Sequence, residues 1–174
     1  SKFTLMTLHA LCQAMQSAGW ERLEEDDAIF FATTTGQIPL WENDLMDYLD
    51  GRIPPSRLAE TLRYEPLGVA LSNVLKIIGA SSCHHQVISS ACSASTQAIF
   101  LASLWLKSGR AKRCLVGGTE LLCQLTGNGF QSLKLLSPEP ATPFDQNRKG
   151  INLSEASAFL CLETEPENSP LAFL

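Results

Sequence analysis

One cysteine carries the strongest chemical signal in the sequence. Cys92 lies in segment 88–96, where a predicted strand ends and a long apolar helix begins. The unpaired N–H groups and the dipole at a helix N-terminus favour an anion, so a thiolate is stabilised there. The neighbouring residues are small, which leaves room for a substrate to reach the sulfur. A thiolate beside N–H donors that can hold an oxyanion suits acyl transfer through a thioester.

Position alone leaves two roles open for this thiol. Cysteine is among the most buried residue types, and most free cysteines are inert small hydrophobes. For Cys12, Cys114 and Cys161, which lie in apolar helix or strand patterns, we expect core packing. Cys83 and Cys123 give no signal in either direction.

The run Cys83-His84-His85 raises the question of a metal site. Adjacent residues of an extended segment point to opposite faces, so only Cys83 and His85 could converge. The sequence offers no second ligand pair at a suitable spacing. We therefore expect no metal site, and neither histidine is a clear candidate for the base that would serve Cys92.

Composition narrows the class of protein. The 174 residues carry a net charge of −5, with 45% hydrophobic and 18% charged residues, which favours one domain with a real core over a disordered chain. The acidic balance excludes a nucleic-acid partner. The apolar run 98–106 is too short for a membrane span, which needs roughly 20 residues. Six cysteines without zinc spacing and a start unlike a signal peptide predict a reduced, cytoplasmic protein.

The hydrophobic pattern predicts an α/β fold with helices on both sides of a sheet. We predict strands at 28–32, 85–90, 113–118 and 157–162, and helices at 3–18, 67–78 and 93–107. Segment 37–65 is predicted to form short helices in a surface excursion, and segment 121–136 to be partly helical but broken by Gly127 and Gly129. The helix at 93–107 is apolar all round, which predicts a helix buried on every side, between layers.

Two polar segments remain. Segment 107–113 holds four cations, which suit a solvated helix C-terminus better than a docking site for an acidic partner. Segment 143–150 is predicted to be a turn with a buried Phe144, an Asp145–Arg148 pair and a positive φ at Gly150. Neither segment identifies a reaction.

Three segments in this order resemble the β-ketoacyl-acyl carrier protein synthases, condensing enzymes of the thiolase fold. They are ACSAS at 91–95, LVGGTE at 115–120, and PFDQNRKG at 143–150, which runs on into GINLSEASAFLCLE. Their spacing fits the family, and TTTG at 33–36 matches an earlier strand end that contains glycine. The resemblance covers essentially all 174 residues. Segments 123–137 and 150–159 are most similar to ketosynthases of bacterial aryl-polyene pathways.

The resemblance implies a decarboxylative Claisen condensation in fatty acid or polyene/polyketide biosynthesis. Cys92 matches the nucleophile that accepts an acyl group from acyl carrier protein, and its backbone N–H would form half of the oxyanion hole. Malonyl-acyl carrier protein would lose carbon dioxide and attack the resulting thioester. The family implies no cofactor. It also implies a dimer, homodimeric or formed by two different ketosynthase chains, that pairs through the strand near 85–90.

The chain departs from the family pattern in two ways. Ile151 stands where most members have a phenylalanine that gates the acyl chain, and Ser154, Ala156 and Ala158 replace usual glycines. The family's two catalytic histidines, its lysine and the second oxyanion amide belong to a second, homologous half, which His9, His84 and His85 do not replace. We therefore expect residues 1–174 to be the N-terminal half without its first strand, and to be inactive in condensation when isolated.

Two other functions compete with this one. A non-catalytic ketosynthase-like partner, of the chain-length-factor type, shares the fold but usually lacks the cysteine. A thiolase-type enzyme that uses acyl-coenzyme A also shares the fold, although the PFDQNRKG segment favours the synthase.

Overall fold

The computed structural model describes residues 1–165 and 170–172. In chain order the elements are α1 (Lys2–Ala18), β1 (Ala28–Ala32), a 3-10 helix (Ile38–Leu40), α2 (Glu42–Leu49), α3 (Pro55–Leu62), α4 (Leu67–Ile77), β2 (His84–Ile88), α5 (Ala94–Lys107), β3 (Arg113–Glu120), α6 (Gln124–Ser132) and β4 (Ala156–Glu163). They form two compact units. The first holds Ser1–Gly36, Pro66–Glu120 and the chain from Ala156, and the second holds Gln37–Glu65 and Leu121–Glu155.

The first unit is built on one four-stranded sheet in the order β2-β1-β3-β4. β1 runs parallel to β2 and to β3, while β4 is antiparallel to β3. All five residues of β1 are buried, as its unbroken apolar run predicted for a strand covered on both faces. The α/β class and the parallel β2-α5-β3 arrangement are therefore confirmed.

Alternate residues of β1 face opposite sides of the sheet, which places helices on both. Ala28, Phe30 and Ala32 belong to the cluster packed beneath α5. The ring of Phe31 meets that of Phe3 in α1, with 6.0 Å between the centroids. The predicted helices on both faces are thus present.

The burial of α5 differs from the sequence expectation. Ala94, Ala98 and Ala102 form a buried stripe at helical spacing against the sheet. Phe100 is 61% exposed and Leu104 is 45% exposed. The prediction that this helix is buried on every side is therefore wrong for the chain as described, because one sheet covers one helix face.

The second unit contains the short helices predicted for segment 37–65, together with α6. The expectation that Gly127 and Gly129 break the helix is wrong, since α6 runs through both. Its N-terminus is held from outside the helix: the carboxylate of Glu42 accepts the N–H groups of Gln124 and Leu125. Two glycines cost a helix only about 1 kcal/mol each, which such anchoring can offset.

The loop at 143–150 also departs from its prediction. Phe144 is fully exposed and has a φ of 66°. Arg148 donates to the main-chain oxygen of Asp145 at 3.1 Å instead of pairing with its carboxylate. Gly150 has the predicted positive φ, at 138°.

A buried ion pair ties the start of β3 to the residue before β1. Asp27 is 2% exposed. Nε of Arg113 donates to its Oδ1 at 3.0 Å, and the guanidinium lies 4.6 Å from the ring centroid of Trp20. The hydrogen bond to Asp27 raises the pKa of Arg113.

Two other cations of segment 107–113 also have partners within the chain. Lys112 pairs with Asp26 at 2.6 Å, and Arg110 lies over the ring of Trp105 at 5.8 Å. These partners favour the solvated helix end over a docking site. Within the described residues, no helix is long and apolar enough to cross a membrane.

We expect Arg113→Met to lower the free energy of unfolding by about 3 kcal/mol, because it leaves Asp27 buried without its partner. Chemical denaturation measures the change. Lys112→Met is the matched control, since it removes a neighbouring but solvent-exposed ion pair and should barely alter stability. Equal losses in the two variants would contradict the role given to burial.

Candidate active site around Cys92

A cavity of about 450 Å³ lies in the first unit, at the carboxyl ends of β1 and β3. The start of α5 and the first half of β4 complete its wall. Most lining residues are small or apolar: Ala32, Ala91, Ala94, Ile99, Val116, Gly117, Gly118, Ala156, Ala158 and Leu160. Open α/β sheets bind ligands outside the carboxyl ends of their strands, so this is the expected place for a site.

Cys92 lies on the wall of this cavity and is solvent-exposed. It follows β2 and comes two residues before α5, as the sequence predicted. The turn that carries it has Ala91 at a φ of 51°, which is uncommon for a residue other than glycine. The N–H groups of Ser93 and Ala94 donate to the carbonyls of Ser90 and Ala91, which ties the turn to the helix start.

The two glycines of β3 form the floor of the cavity. A Cβ on Gly118 would collide with the main-chain oxygen of Ala32 in β1. A Cβ on Gly117 would collide with the main-chain oxygen of Ala158 and with Phe159 in β4. Only glycine fits either position, so backbone and not side chains borders the space opposite Cys92.

Glu120 ends β3 at the same cavity and was given no role from sequence. Its Oε2 accepts the N–H of Thr34 at 2.6 Å, and its Oε1 accepts the N–H of Thr35 at 3.0 Å. The signal for it was present in LVGGTE, where a carboxylate follows the two glycines. Without the tertiary structure, however, its partners 85 and 86 positions earlier in the chain could not be identified.

The remaining predicted residues lie elsewhere. Ile151 belongs to the second unit, is 41% exposed, and exchanges main-chain hydrogen bonds with Leu135 and Ser137. His84 stacks on Trp105 at the start of β2, the end of that strand remote from Cys92. His85 lies beside it, with Nδ1 2.9 Å from the carbonyl oxygen of Cys83. The part of the chain described holds no cluster of three or more side chains suited to a metal ion.

The other cysteines differ in burial. Cys114 is buried, as predicted, and Cys161 is half-buried. Cys12 is exposed, so its predicted place in the core is wrong. The buried stripe of α1 consists of Phe3, Thr7, Leu11 and Met15, and Cys12 falls on the other face.

Burial separates the thiols by reactivity. It raises the pKa of both Cys114 and Cys161 to about 12, and it also raises the pKa of Cys83. The thiolate is the reactive form, and at about pH 8 the Cys114 thiol stays protonated.

We expect iodoacetamide to label Cys92 and Cys12 in the folded chain and to spare Cys114 and Cys161, as read by peptide mass spectrometry. Denatured protein supplies the control in which all should react; labelling of Cys114 at the rate of Cys92 in the folded chain would refute this assignment.

Comparison with known proteins identifies the family. A family model described as the N-terminal domain of β-ketoacyl synthase matches residues 1–168. A mitochondrial protein of Schizosaccharomyces pombe named as a 3-oxoacyl-(acyl-carrier-protein) synthase is 30% identical, over 92% of this chain and 40% of its own length. Nodulation protein E of Rhizobium leguminosarum bv. trifolii is 29% identical, over 94% of this chain and 41% of its own length. The chain thus spans about 40% of the length of these relatives.

Solved structures agree in fold. The ishigamide ketosynthase/chain length factor matches with a TM-score of 0.80 at 22% identity, over 94% of this chain and 41% of that chain. The ketosynthase ApeO in complex with its chain length factor ApeC, from Xenorhabdus doucetiae, matches with a TM-score of 0.79 at 27% identity, over 96% and 42%. These likenesses confirm the thiolase-like α/β fold expected from the motifs.

Proposed function

Because the chain belongs to the β-ketoacyl synthase family, through the N-terminal domain of that family, we propose that it carries the acyl-accepting cysteine of a condensing enzyme. The single observation that supports this most is the placement of Cys92. An exposed thiol lies on the wall of an apolar cavity, at the turn that leads into a 14-residue helix. A hydrocarbon chain fits beside Ile99, Val116 and Leu160, which line that cavity.

The first proposed step transfers the acyl group to the protein. The Cys92 thiolate attacks the carbonyl carbon of an acyl thioester on acyl carrier protein, and the backbone N–H of Cys92 donates to the developing oxyanion. Collapse of the tetrahedral intermediate breaks the bond to the carrier sulfur. The carrier leaves as a thiolate and takes up a proton, and the acyl group remains on Cys92.

The second proposed step makes the carbon–carbon bond. Malonyl-acyl carrier protein loses carbon dioxide, and the electron pair left on its α-carbon attacks the acyl carbonyl on Cys92. The carbon–sulfur bond breaks, which regenerates the thiolate and releases the β-ketoacyl product on the carrier. Neither step requires the basic residues of segment 107–113 at the end of α5. We propose acyl carrier protein as the carrier because the chain belongs to the β-ketoacyl synthase family.

We also propose that residues 1–174 are the N-terminal half of the catalytic unit, with the histidines and the lysine that assist decarboxylation in a second half. In agreement with this, both histidines of β2 lie at the start of that strand, away from Cys92. The chain spans about 40% of the length of the relatives it matches.

Ile151 retains its proposed role at the position of the acyl gate. A cytoplasmic location stays a prediction, and one relative is named as mitochondrial.

Removal of the nucleophile tests the proposal directly. In the full-length protein, Cys92→Ala should lower acyl transfer from acyl carrier protein by more than about 10³-fold, measured with a labelled acyl chain, because no thiolate remains to form the thioester. Cys12→Ala is the matched control, since that thiol is exposed on α1, and it should load normally. Normal loading of the Cys92 variant would exclude it as nucleophile, and loading from coenzyme A in preference to the carrier would favour the thiolase-type alternative.

Dimerisation through β2 is the second part of the proposal. β2 is an edge strand of the sheet, and edge strands present unpaired N–H and C=O groups that can pair with another chain. The exposed side chains of Phe100 and Leu104 on α5 add apolar surface in the same unit. The solved structure of ApeO, which shares this fold, is a complex of a ketosynthase with its chain length factor.

Native mass spectrometry measures this association. We expect the full-length protein to form a homodimer, or a heterodimer when a second ketosynthase chain is supplied, because among the residues that the structure describes no strand pairs with the outer edge of β2. Val87→Pro should weaken the dimer by removing a main-chain donor from the free edge of β2. The carbonyl of Ile88 accepts the N–H of Thr33 in the sheet, so the neighbouring Val87 turns its own N–H to the other side. Val87→Ala is the matched control, because it keeps the main-chain N–H at the same position and should leave the dimer intact. A monomer at micromolar concentration would contradict the proposed pairing, and equal stimulation of a partner synthase by wild type and Cys92→Ala would favour the non-catalytic alternative.

A further inference from the structure

The Glu120 carboxylate accepts four hydrogen bonds from one short turn of the chain, residues 33–36. Besides the N–H groups of Thr34 and Thr35, it accepts the hydroxyl of Thr35 at 2.5 Å and that of Thr33 at 3.5 Å. Glu120 is half-buried and lines the cavity that holds Cys92. Hydrogen bonds to a charged acceptor are about twice as strong as neutral ones, so this turn is firmly held.

The same turn contacts the segment that leads to the nucleophile. The N–H of Thr33 donates to the carbonyl of Ile88 at 3.2 Å. The hydroxyl of Thr34 donates to the carbonyl of Ala91 at 3.5 Å, and the hydroxyl of Ser89 donates to the carbonyl of Thr34 at 3.5 Å. Three contacts therefore connect the turn at 33–36 with residues 88–91.

Ala91 is the residue on which these contacts matter most. Its φ of 51° lies in the left-handed region, where a residue with a Cβ stays only when its surroundings hold it. The conformation at Ala91 directs the next residue, Cys92, toward the cavity. The carbonyl of Ala91 accepts the N–H of Ala94 within the turn and the hydroxyl of Thr34 from outside it. If the contact with Thr34 is lost, the residue can relax to a commoner conformation and turn the sulfur away.

We propose that Glu120 is a positioning residue for Cys92 and acts through the turn at 33–36 and through Ala91. The proposal rests on the proposed function only in taking Cys92 as the reactive thiol. Glu120 is not the base in this scheme, because both carboxylate oxygens are occupied by donors from residues 33–35. Its task is to keep the sulfur on the wall of the cavity, beside the N-terminus of α5.

Replacement of Glu120 by glutamine removes the negative charge and one hydrogen-bond acceptor but keeps the shape of the side chain. A glutamine at this position keeps one oxygen acceptor, but its NH₂ group then faces the N–H of either Thr34 or Thr35. The hydroxyl of Thr35 can rotate and accept a hydrogen bond, whereas a main-chain N–H cannot. Glu120→Gln therefore removes one main-chain anchor of the turn while the volume of the side chain hardly changes.

The test compares two thiols in one molecule. Folded chain is labelled with limiting iodoacetamide at about pH 8, and the rate at Cys92 is divided by the rate at the exposed Cys12. We expect Glu120→Gln to lower this ratio roughly tenfold, since an error of about 1 Å in placement has effects of this size or larger. Glu25→Gln is the matched control, because Glu25 is a surface carboxylate in the connection after α1, and it should leave the ratio unchanged.

A second variant isolates the step from the turn to Ala91. Thr34→Ala removes the hydroxyl that donates to the Ala91 carbonyl and leaves every hydrogen bond to Glu120 in place. It should lower the ratio in the same direction, and it decides the matter if Glu120→Gln does not fold. In the full-length protein, Glu120→Gln should lower kcat for acyl loading while KM for the acylated carrier stays the same.

An unchanged ratio in Glu120→Gln overturns the proposal. Labelling of the buried Cys114 in that variant would report general unfolding, and Thr34→Ala then decides. An unchanged ratio in Thr34→Ala overturns the route through Ala91. Failure of the proposed function would look different: Cys92→Ala would load normally, while the ratio of the two labelling rates would still respond to Glu120.

Discussion

Main-chain oxygens of Ala32 and Ala158 occupy the places where side chains of β3 would begin at positions 118 and 117. Because no Cβ fits there, β1 and β4 can both pair with β3 over this stretch without side chains between them. The same two glycines line the cavity, so its floor is formed there by main-chain atoms of the closely paired strands. Glycine at both positions is therefore required by the site before any chemistry is considered.

Small side chains also determine how α5 packs on the sheet. Its contact with the sheet is made by alanines at every fourth position, which lets the helix lie close to β1 and β3. Close packing fixes where the helix begins, and the turn with Cys92 is attached to that beginning. Ile99, Trp105 and Leu106 pack beside this stripe against the buried cluster. Phe100 and Leu104 fall on the outer face and remain available to another surface.

β3 begins with a positively charged residue, Arg113, and ends with a negatively charged one, Glu120. At one end, Arg113 neutralises the buried Asp27, which holds the start of two strands together. At the other end of this eight-residue strand, Glu120 accepts hydrogen bonds from the turn beside Cys92. Eight residues of strand extend over about 25 Å, so stability and reactivity are served by different carboxylates that barely influence each other.

Local pattern was sufficient for much of this protein. The buried strands, the amphipathic α1, the position of Cys92 between a strand and a helix, and the three ordered motifs all follow from residues close together in the chain. Periodicity reports which residues could share a face, and helix termini have identifiable signals. Family and fold could be predicted for the same reason, since the motifs keep their order and spacing.

Tertiary structure decided what depends on distant partners. Exposure of Phe144, of Cys12 and of one face of α5 follows from which surfaces are covered, and periodicity cannot say what covers them. The carboxylate of Glu42, which accepts the first N–H groups of α6, lies 82 positions earlier in the chain, and the role of Glu120 depends on a turn 85 positions away. Sequence alone determined which residues could carry chemistry; only long-range pairing decided which of them meet, because such contacts leave no local signal.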